Sequence, residues 1–318
     1  MSSKKLITVF GATGNQGGSV LDVVLSRPDL QDRYSLRGIT RDPESDKSKA
    51  LNEKGVEMVK ADVDDLEAVK AAVKGSYGVF GVTDFWSIMD KEREIKQGKN
   101  IFEASKEAGV KHLVWSALPY AEKLTEGALK HVEHFDSKAI VAEYAEANKG
   151  AMWVSHVMPA MFGDSLTRMT RVHEGQAALS MPFPSDSIAW PLIFPRRDYG
   201  KWVMGAFEAG ESANGAFVNA VSTWTTPKEV VAAITKNANR DVAFNALPGN
   251  VFTSIMQQAM GEVVGEELSE TMQLIGGWNY YGKEAEKSQG DHDKFLLKDA
   301  ELSSYEQWAK ENGPFKYE

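Results

Sequence analysis

Glycines close to the start of the chain carry the clearest chemical signal. The segment Gly11-Ala-Thr-Gly14-Asn-Gln-Gly17-Gly18 follows an apolar run over residues 6–10 and opens an amphipathic stretch. In a strand–turn–helix of this kind, the first glycine permits a tight bend, the second lets a pyrophosphate approach, and the third allows close packing of helix on strand. Free N–H groups at the helix N-terminus then face the anion. Rather than a purely structural turn, the context predicts a dinucleotide site containing Gly11, Thr13, Gly14, Asn15, Gln16 and Gly17.

The end of the second predicted strand bears on which dinucleotide binds. A carboxylate at this point accepts hydrogen bonds from the ribose 2′-hydroxyl and selects NAD, whereas a cation accommodates the 2′-phosphate of NADP. Arg41 occupies the expected position, with Thr40 beside it, and a guanidinium can bind two phosphate oxygens at once. Alternatively, Arg41 is a solvated loop residue and Asp42 faces the ribose. We therefore expect NADP(H), with NAD(H) as the other candidate cofactor.

Two later strand ends supply further candidate contacts. Asp62 follows the third predicted strand, where a carboxylate could reach the adenine amino group. The neighbouring pair Asp64-Asp65 is better placed to cap the next helix. Thr83 follows the fourth predicted strand, and its hydroxyl could contact the diphosphate or a ribose. Phe85 and Trp86 could wall the nicotinamide side of the site, or pack against the C-terminal part of the chain.

Alternating elements in the first half of the chain would position these residues. Strands are predicted over residues 6–10, 34–39, 56–59, 77–82, 112–115 and 153–158, and helices over 18–26, 45–53, 65–73, 89–108 and 135–147. Strands separated by helices imply right-handed crossovers and a parallel sheet. Unbroken apolar strands imply that helices cover both faces. The sequence therefore predicts an α/β fold, a Rossmann-type doubly wound parallel sheet with a smaller C-terminal lobe.

The second half of the chain does not continue the regular alternation of strands and helices. The segments 181–184 and 190–195 are aromatic and interrupted by prolines, which suits edge strands or loops over a pocket. Aromatic residues over 183–194, with Phe162, could line a substrate cleft or form the core of the lobe. A helix is expected over residues 198–209 with Asp198 as its cap. We predict a dinucleotide-binding domain over residues 1–158, completed by 197–222, and a smaller substrate- or partner-binding lobe from 159–196 and 223–318.

Composition narrows the classes of function. The chain has 318 residues and no cysteine, which excludes disulfides, thiolate catalysis and cysteine-based metal sites. A formal charge of −9 gives no field that favours phosphate backbones, so direct nucleic-acid binding is not expected. The acidic charge could simply keep the protein soluble, or it could bind a basic protein partner. No apolar run is long enough for a bilayer and no secretory signal is recognisable, so we expect no membrane insertion and a cytoplasmic, or also nuclear, location.

Several of these motifs resemble the NmrA-like family, a branch of the atypical short-chain dehydrogenases/reductases. The resemblance lies in Val9-Phe-Gly-Ala-Thr-Gly-Asn-Gln-Gly-Gly-Ser-Val20, Ile39-Thr-Arg-Asp-Pro43, Val82-Thr-Asp-Phe-Trp86, Glu94-Ile-Lys-Gln-Gly-Lys99, Val114-Trp-Ser116 and His134-Phe-Asp-Ser-Lys138. It implies a dinucleotide-binding fold. Family members include fungal nitrogen-metabolite repressors and animal NADPH-sensing proteins, and related enzymes reduce quinones or phenylpropanoid ethers.

The resemblance also implies a set of candidate catalytic residues. Short-chain dehydrogenases use a serine with Tyr-x-x-x-Lys, in which the tyrosine transfers a proton and the lysine holds the nicotinamide ribose. Here Ser116 and Lys138 match that pattern, but His134 stands at the tyrosine position. One helical turn puts His134 and Lys138 on one face, where the histidine could act as an acid, contact nicotinamide or substrate, or simply pack. Lys138 could contact the ribose or be an exposed lysine, and Tyr120 could substitute for the missing tyrosine.

Two functions remain open at this stage. A redox-sensing regulator that binds NADP(H) and a protein partner is favoured by the family resemblance, the missing tyrosine and the acidic charge. An NADPH-dependent reductase of a small carbonyl, quinone or imine substrate is favoured by Ser116, Lys138 and the aromatic lobe. We expect no metal site, because the histidines lack metal-ligand spacing and His131 and His134 have no carboxylates arranged nearby as further ligands.

Overall fold

The computed structural model describes residues 4–318. Its strands are β1 (Lys5–Val9), β2 (Tyr34–Thr40), β3 (Glu57–Lys60), β4 (Gly78–Gly81), β5 (His112–Ser116), β6 (Trp153–Pro159), β7 (Met161–Phe162), β8 (Arg171–His173), β9 (Gln176–Met181), β10 (Trp190–Ile193), β11 (Phe217–Ala220), β12 (Thr223–Thr225) and β13 (Val242–Ala246). Its α-helices are α1 (Asn15–Ser26), α2 (Pro28–Gln31), α3 (Asp46–Glu53), α4 (Leu66–Val73), α5 (Phe85–Ile88), α6 (Lys91–Glu107), α7 (Ala121–Leu124), α8 (Glu133–Asn148), α9 (Leu166–Met169), α10 (Gly200–Ala209), α11 (Pro227–Lys236), α12 (Gly249–Met260), α13 (Glu262–Trp278), α14 (Gln289–Asp293) and α15 (Tyr305–Asn312).

The central sheet has seven strands in the order β11-β6-β5-β4-β1-β2-β3. Every neighbouring pair in it is parallel. The chain builds outward from β1 to β3, returns to the other side of β1 at β4, and builds outward again. This order confirms the predicted doubly wound parallel sheet. It also puts the topological switch point, where ligands bind in such sheets, between the carboxyl ends of β1 and β4.

Helices cover both faces of this sheet, which explains its apolar strands. On one face, α1 and α10 bury Trp202 and Phe207 against the strands. On the other face, α4, α6 and α8 pack around Phe102 and Trp115. β4 and β5 are buried along their whole length. Strands with no solvent-facing side show continuous hydrophobic runs rather than alternation, as the sequence does here.

The C-terminal lobe has a separate hydrophobic core. Two small sheets, β12-β10-β7 and β13-β9-β8, pack with helices that include α11, α13 and α15. Phe183, Trp190 and Phe194 are buried in this core, with Trp308 stacked 5.4 Å from Phe194. The aromatic residues over 183–194 therefore form the core of the lobe, which was one of the two interpretations of that stretch. Within residues 4–318, no helix combines the length and the apolar character needed to cross a bilayer.

Asp198 does not cap α10 as predicted. The helix begins at Gly200, after a π-helical turn. Asp198 is fully buried, and its carboxylate accepts hydrogen bonds from Lys201 Nζ at 2.6 Å, Ser222 Oγ at 2.6 Å and the Ser303 backbone N–H at 3.0 Å. A buried carboxylate needs several donors; here one comes from Lys201, three residues further along the chain, and the other two come from distant segments. The residue therefore ties the sheet domain to the C-terminal tail.

Candidate active site

One continuous cleft of about 2020 Å³ lies at the carboxyl edge of the sheet and extends into the lobe. Its sheet wall contains Gly11, Thr13, Gly14, Asn15, Gln16, Gly17, Thr40, Arg41, Asp62, Thr83, Phe85, Ser116, His134 and Lys138, which are the residues singled out from the sequence. Its lobe wall includes Met161, Phe162, Met169, Phe252, Met256, Thr271, Met272, Ile275 and Tyr280. Typical small-molecule pockets enclose roughly 300–1,000 Å³. The cleft therefore has room for two ligands side by side.

The glycine turn presents free backbone donors to this cleft. Gly11 adopts φ +62°, and a Cβ at Gly17 would lie 2.4 Å from the Gly11 carbonyl oxygen, so both positions require glycine. Helix α1 starts at Asn15, with Gly14 as a cap residue that offers no side chain to the first turn. The first turn also contains no acidic residue. Its N–H groups and the positive end of the helix dipole are therefore available to an anion.

Arg196 adds a cation beside the glycine turn that the sequence did not reveal. Its Nη1 donates to the Gly14 carbonyl oxygen at 3.1 Å, and its Nη2 lies 2.6 Å from Asp22 Oδ2. The guanidinium lies directly over Gly18, where a Cβ would be 1.5 Å from Nη1. The residue is 182 positions from Gly14 in the chain, so no local motif could have identified it.

At the expected adenosine end, the turn after β2 separates Arg41 from Asp42. Asp42 uses one carboxylate oxygen to accept the Glu44 backbone N–H at 3.0 Å, and its own N–H donates to Thr40 Oγ1 at 3.1 Å. Arg41 is exposed on the cleft wall and makes no side-chain hydrogen bond to any residue within 4–318. The guanidinium of Arg41 is thus freer than the Asp42 carboxylate to meet a ligand.

The three aspartates after β3 have separate roles. Asp65 caps α4, as its position in the sequence suggested, accepting two backbone N–H groups at 3.1 Å. Asp64 pairs with Arg93 at 2.6 Å and accepts from Gln97 at 3.0 Å. Asp62 is exposed in the cleft and accepts only the Asp64 N–H, at 3.0 Å. Of the three carboxylates, Asp62 is therefore the one left to contact a ligand.

Thr83 provides the test of whether a dinucleotide fits the sheet wall. Its side chain is on the cleft wall and the residue is only 7% exposed, yet Oγ1 has no hydrogen-bond partner within residues 4–318. A buried hydroxyl left without a partner costs about 1–3 kcal/mol. A phosphate or ribose oxygen lying along the strand ends would satisfy it. Together with the anion-ready turn, this orphaned hydroxyl fits a dinucleotide.

A buried ion pair fixes Lys138. Its Nζ is 2.5 Å from Glu94 Oε1, and Ser137 Oγ donates to the other oxygen of the same carboxylate. Glu94 is fully buried and Lys138 nearly so, which holds the ammonium on the cleft wall with further N–H groups to donate. Ser116 accepts a hydrogen bond from Gln16 Nε2 at 2.7 Å, so its hydroxyl is tied to the glycine turn. Glu94 lies within a motif noted in the sequence, but nothing local marked it as the partner of Lys138.

His134 lies beside Lys138 on the cleft wall within an aromatic cluster. The Trp86 ring centroid is 4.9 Å from the imidazole centroid, and that of Phe85 is 6.0 Å away. The imidazole Nδ1 is hydrogen bonded to Glu267, on α13 of the lobe. Phe85 and Trp86 therefore line the cleft and support His134 at the same time.

Tyr120, which was suggested as a replacement for the missing tyrosine, does not line the cleft, and neither does the nearby Tyr144. Tyr120 lies under the Lys123 ammonium, with Nζ 4.4 Å from its ring centroid, and Tyr144 donates to Glu103 at 2.6 Å. The suggestion for Tyr120 is therefore wrong, because its ring packs against Lys123 and is not part of the cleft wall. Tyr280 does line the cleft, but its hydroxyl is buried and donates to the Pro159 carbonyl oxygen at 2.7 Å, and burial raises its pKa well above the usual range.

Carboxylates do surround His131, contrary to expectation. Its Nδ1 is 2.8 Å from Glu270 Oε1 and 3.5 Å from Glu266 Oε1, with all three candidate ligand atoms within 4.8 Å of one another. The two glutamates lie one helical turn apart on α13, more than a hundred residues along the chain, so sequence spacing could not reveal them. The group lies outside the cleft, and its contacts are those of a partly exposed ion pair.

The fold and this cleft define a Rossmann-type α/β protein with a ligand site at the switch point of its sheet. The sequence model of the NmrA-like family matches residues 3–309, and the chain belongs to that family. The resemblance seen in the motifs is therefore confirmed.

Curated relatives carry related names. The NmrA-like family domain-containing oxidoreductase malD of Malbranchea aurantiaca is 33% identical over 221 residues, which is 65% of this chain and 65% of malD. The corresponding oxidoreductase himF of Aspergillus japonicus is 31% identical over 280 residues, covering 84% of this chain and 81% of himF.

Solved structures share the fold at low sequence identity. NmrA, a negative transcriptional regulator crystallised with NADP, aligns with a TM-score of 0.75 at 18% identity over 98% of this chain and 96% of its own. The Escherichia coli NADPH-dependent quinone oxidoreductase QOR2, crystallised with NADPH, aligns with a TM-score of 0.71 at 16% identity over 96% and 99%.

Proposed function

We propose that this protein is an NADP(H)-dependent oxidoreductase that reduces a carbonyl, quinone or imine group in a largely apolar substrate. The observation that carries the proposal is the open space beside His134 and Lys138, which continues from the glycine turn into the lobe. A protein that only sensed a dinucleotide would not need a second chamber there. The oxidoreductase names of the curated relatives support the same reading.

The sheet wall would hold the cofactor. The diphosphate would lie against the N–H groups of Asn15, Gln16 and Gly17, and Arg41 would meet the adenosine 2′-phosphate. Thr83 would donate its unpaired hydroxyl to the same molecule. When bound, the reduced nicotinamide would supply a hydride.

Lys138 and His134 would serve the reacting end of the cleft. Glu94 prevents the Lys138 ammonium from moving away, so its remaining N–H groups can orient a ribose hydroxyl. His134 is the titratable side chain next to Lys138 on the helix face and would deliver a proton to the substrate. The aromatic rings of Phe85 and Trp86 shield this pair and would limit the access of water.

The lobe wall indicates the class of substrate. Its side chains facing the cleft are mainly apolar, including Met161, Phe162, Met169, Phe252, Met256, Met272 and Ile275. Methionine is flexible and polarisable, so a wall rich in it can adapt to irregular organic shapes. We expect a substrate with aromatic or aliphatic rings rather than a small, highly polar metabolite.

The test is NADPH oxidation measured across a panel of apolar aldehydes, ketones, quinones and cyclic imines. We expect substrate-dependent oxidation that falls about 100-fold or more in His134→Ala and Lys138→Met. The matched control is Lys123→Met, which removes an exposed lysine outside the cleft and should leave activity unchanged. Activity that survives His134→Ala, Lys138→Met and Ser116→Ala alike would show that the site is elsewhere.

A regulator is the second candidate. One fold neighbour, NmrA, is a negative transcriptional regulator. Apolar side chains on the cleft wall are also unusually exposed: Trp86 at 43%, Ile255 at 47% and Met260 at 49%. A protein partner covering them would respond to what the cleft holds, and by linkage it would change dinucleotide affinity by the same factor. Saturable NADPH binding without turnover across the panel would favour this function. Equal partner binding with and without NADPH would exclude it.

A further inference from the structure

We infer that Glu267, on helix α13 of the lobe, is a positioning residue that holds the His134 imidazole for proton transfer. The inference rests on the proposed reductase function, and it starts from a local peculiarity of α8. That helix begins at Glu133, and the cap residue before it, Val132, provides no side-chain hydrogen bond. The orphaned N–H groups of its first turn must therefore find an acceptor elsewhere.

Glu267 is that acceptor. Its carboxylate accepts the backbone N–H of Glu133 at 2.9 Å and that of His134 at 3.1 Å, and it is also bonded to His134 Nδ1. The Glu267 side chain is only 4% exposed. Glu267 is 133 residues from His134 in the chain, yet its carboxylate both caps α8 and contacts the imidazole of His134. Both backbone bonds restrict the carboxylate, so the imidazole is held against a fixed acceptor.

This contact determines which imidazole nitrogen faces the cleft. A carboxylate only accepts hydrogen bonds, so Nδ1 must carry the hydrogen that joins the two groups. Nε2 lies on the opposite side of the ring, and the hydrogen bonds that His134 forms within residues 4–318 use Nδ1 and the backbone N–H instead. The His134 ring lines the cleft and is held by Trp86 and Phe135, at centroid distances of 4.9 Å and 4.7 Å. Nε2 is therefore the nitrogen available to a substrate.

The proton transfer follows from this arrangement. A bound, reduced nicotinamide would supply a hydride to the substrate carbon, and the π electrons of the C=O or C=N bond would then move to the heteroatom. The imidazolium Nε2–H of His134 gives its proton to that heteroatom, leaving neutral imidazole with Nδ1–H still donated to Glu267. Solvent then returns a proton to Nε2. Glu267 keeps its hydrogen bond to Nδ1–H before and after the transfer, so the ring stays in place while Nε2 gives up its proton.

The same helix shapes the substrate chamber. Thr271 and Met272, one turn beyond Glu267 on α13, line the cleft. Glu270 on this helix binds the neighbouring His131, accepting its backbone N–H at 2.6 Å. The lobe helix that contacts the substrate is thus fastened to the helix that carries His134. Glu267 connects the lobe wall to the proton donor on the sheet wall.

The closing experiment compares Glu267→Ala and Glu267→Gln with Glu266→Ala in the full-length protein. Glu266 precedes it on the same helix, and within residues 4–318 its carboxylate pairs with His131 and forms no hydrogen bond or ion pair with His134, so it controls for general effects on α13. Nitrogen-15 NMR of His134 without substrate should show a protonated Nδ1 and an unprotonated Nε2 for the neutral ring in the wild type. We expect Glu267→Ala to lose that signature, and Glu267→Gln, whose amide oxygen still accepts N–H groups, to keep much of it.

Kinetics provide the second readout. With a substrate found in the panel, Glu267→Ala should lower kcat about 10-fold or more, with little change in the KM for NADPH. Glu267→Gln should be intermediate and Glu266→Ala should match the wild type. Wild-type kcat in Glu267→Ala, or an unchanged His134 spectrum in it, would overturn the inference. If Glu267→Ala does not fold, the kcat of Glu267→Gln decides: a value below the wild type supports the inference, and a wild-type value overturns it.

If the protein turns over no substrate at all, the proposed function fails. The NMR signature alone then still reports whether Glu267 fixes the tautomer of His134.

Discussion

The two walls of the cleft are built in different ways. The sheet wall consists of residues that directly follow successive strands, such as Gly11 after β1, Arg41 after β2 and Thr83 after β4. The lobe wall combines side chains from β7 and the helices α12 and α13, which are far apart in the chain. The backbone of a parallel sheet thus fixes the wall proposed to hold the cofactor, whereas tertiary packing fixes the wall proposed to face the substrate. A family built in this way can keep one cofactor site while its substrate chamber varies.

The largest expected effect is a loss of stability on breaking the buried Glu94–Lys138 ion pair behind the sheet wall. Glu94→Ala leaves the buried Lys138 ammonium without its partner, and removing one member of a buried ion pair costs about 3–5 kcal/mol. We expect a loss of this size in the free energy of unfolding, measured by urea denaturation. The double variant Glu94→Ala with Lys138→Met should recover much of it. A loss below 1 kcal/mol in the single variant would mean that the pair is solvated.

The second effect concerns the glycine turn. A Cβ at Gly17 would lie 2.4 Å from the Gly11 carbonyl oxygen, so Gly17→Ala must displace the turn. Overpacking of this kind costs about 1–3 kcal/mol, and we expect NADPH affinity to fall about 100-fold in a fluorescence titration. Gly277→Ala, on α13 of the lobe, meets no atom within 4 Å and is the matched control. Similar NADPH affinities for the two variants would refute a backbone-determined cofactor wall.

The third effect separates the two cofactors. Arg41→Ala should weaken NADPH binding about 10-fold, the size of one charge-assisted hydrogen bond, and leave NADH binding nearly unchanged. Lys54→Ala, an exposed lysine outside the cleft, controls for net charge. Isothermal titration of both cofactors into both variants makes the comparison. Unchanged NADPH affinity in Arg41→Ala would remove this residue from the site.

The smallest effect belongs to the contact between helix α13 of the lobe and His131, which lies just before α8. The hydrogen bond to Glu270 raises the pKa of His131 above its usual value. Its stabilisation is therefore complete below the unfolded pKa, near 6.5, and is lost as the pH rises through the higher folded value. Both groups are partly exposed, so we expect only about 0.5 kcal/mol. We would measure the free energy of unfolding from pH 5.5 to 8.5 for the wild type and His131→Gln. The variant should lack the wild type's loss of stability with rising pH, and parallel pH profiles for the two proteins would contradict this.

The contrast between the walls also explains what the sequence could predict. Gly17, Asp65 and Thr83 were identifiable because their roles depend on a neighbouring strand or helix end. The sequence could not assign Phe183 to the cleft or to the core of the lobe, because both environments favour aromatic side chains. Glu94 and Glu267 were missed because each acts on a residue in a distant helix. Asp198 was misassigned as a cap because two of its three donors, Ser222 and Ser303, come from remote segments.

The central claim is that a dinucleotide occupies the sheet wall with its nicotinamide end beside Lys138 and His134. Equilibrium titration of NADPH into the folded protein tests it most directly, with nicotinamide fluorescence as the signal. The account predicts saturable binding at one site per chain, with enhanced fluorescence as the nicotinamide enters the cleft. Absence of saturable binding of either NADPH or NADH to folded protein would contradict it.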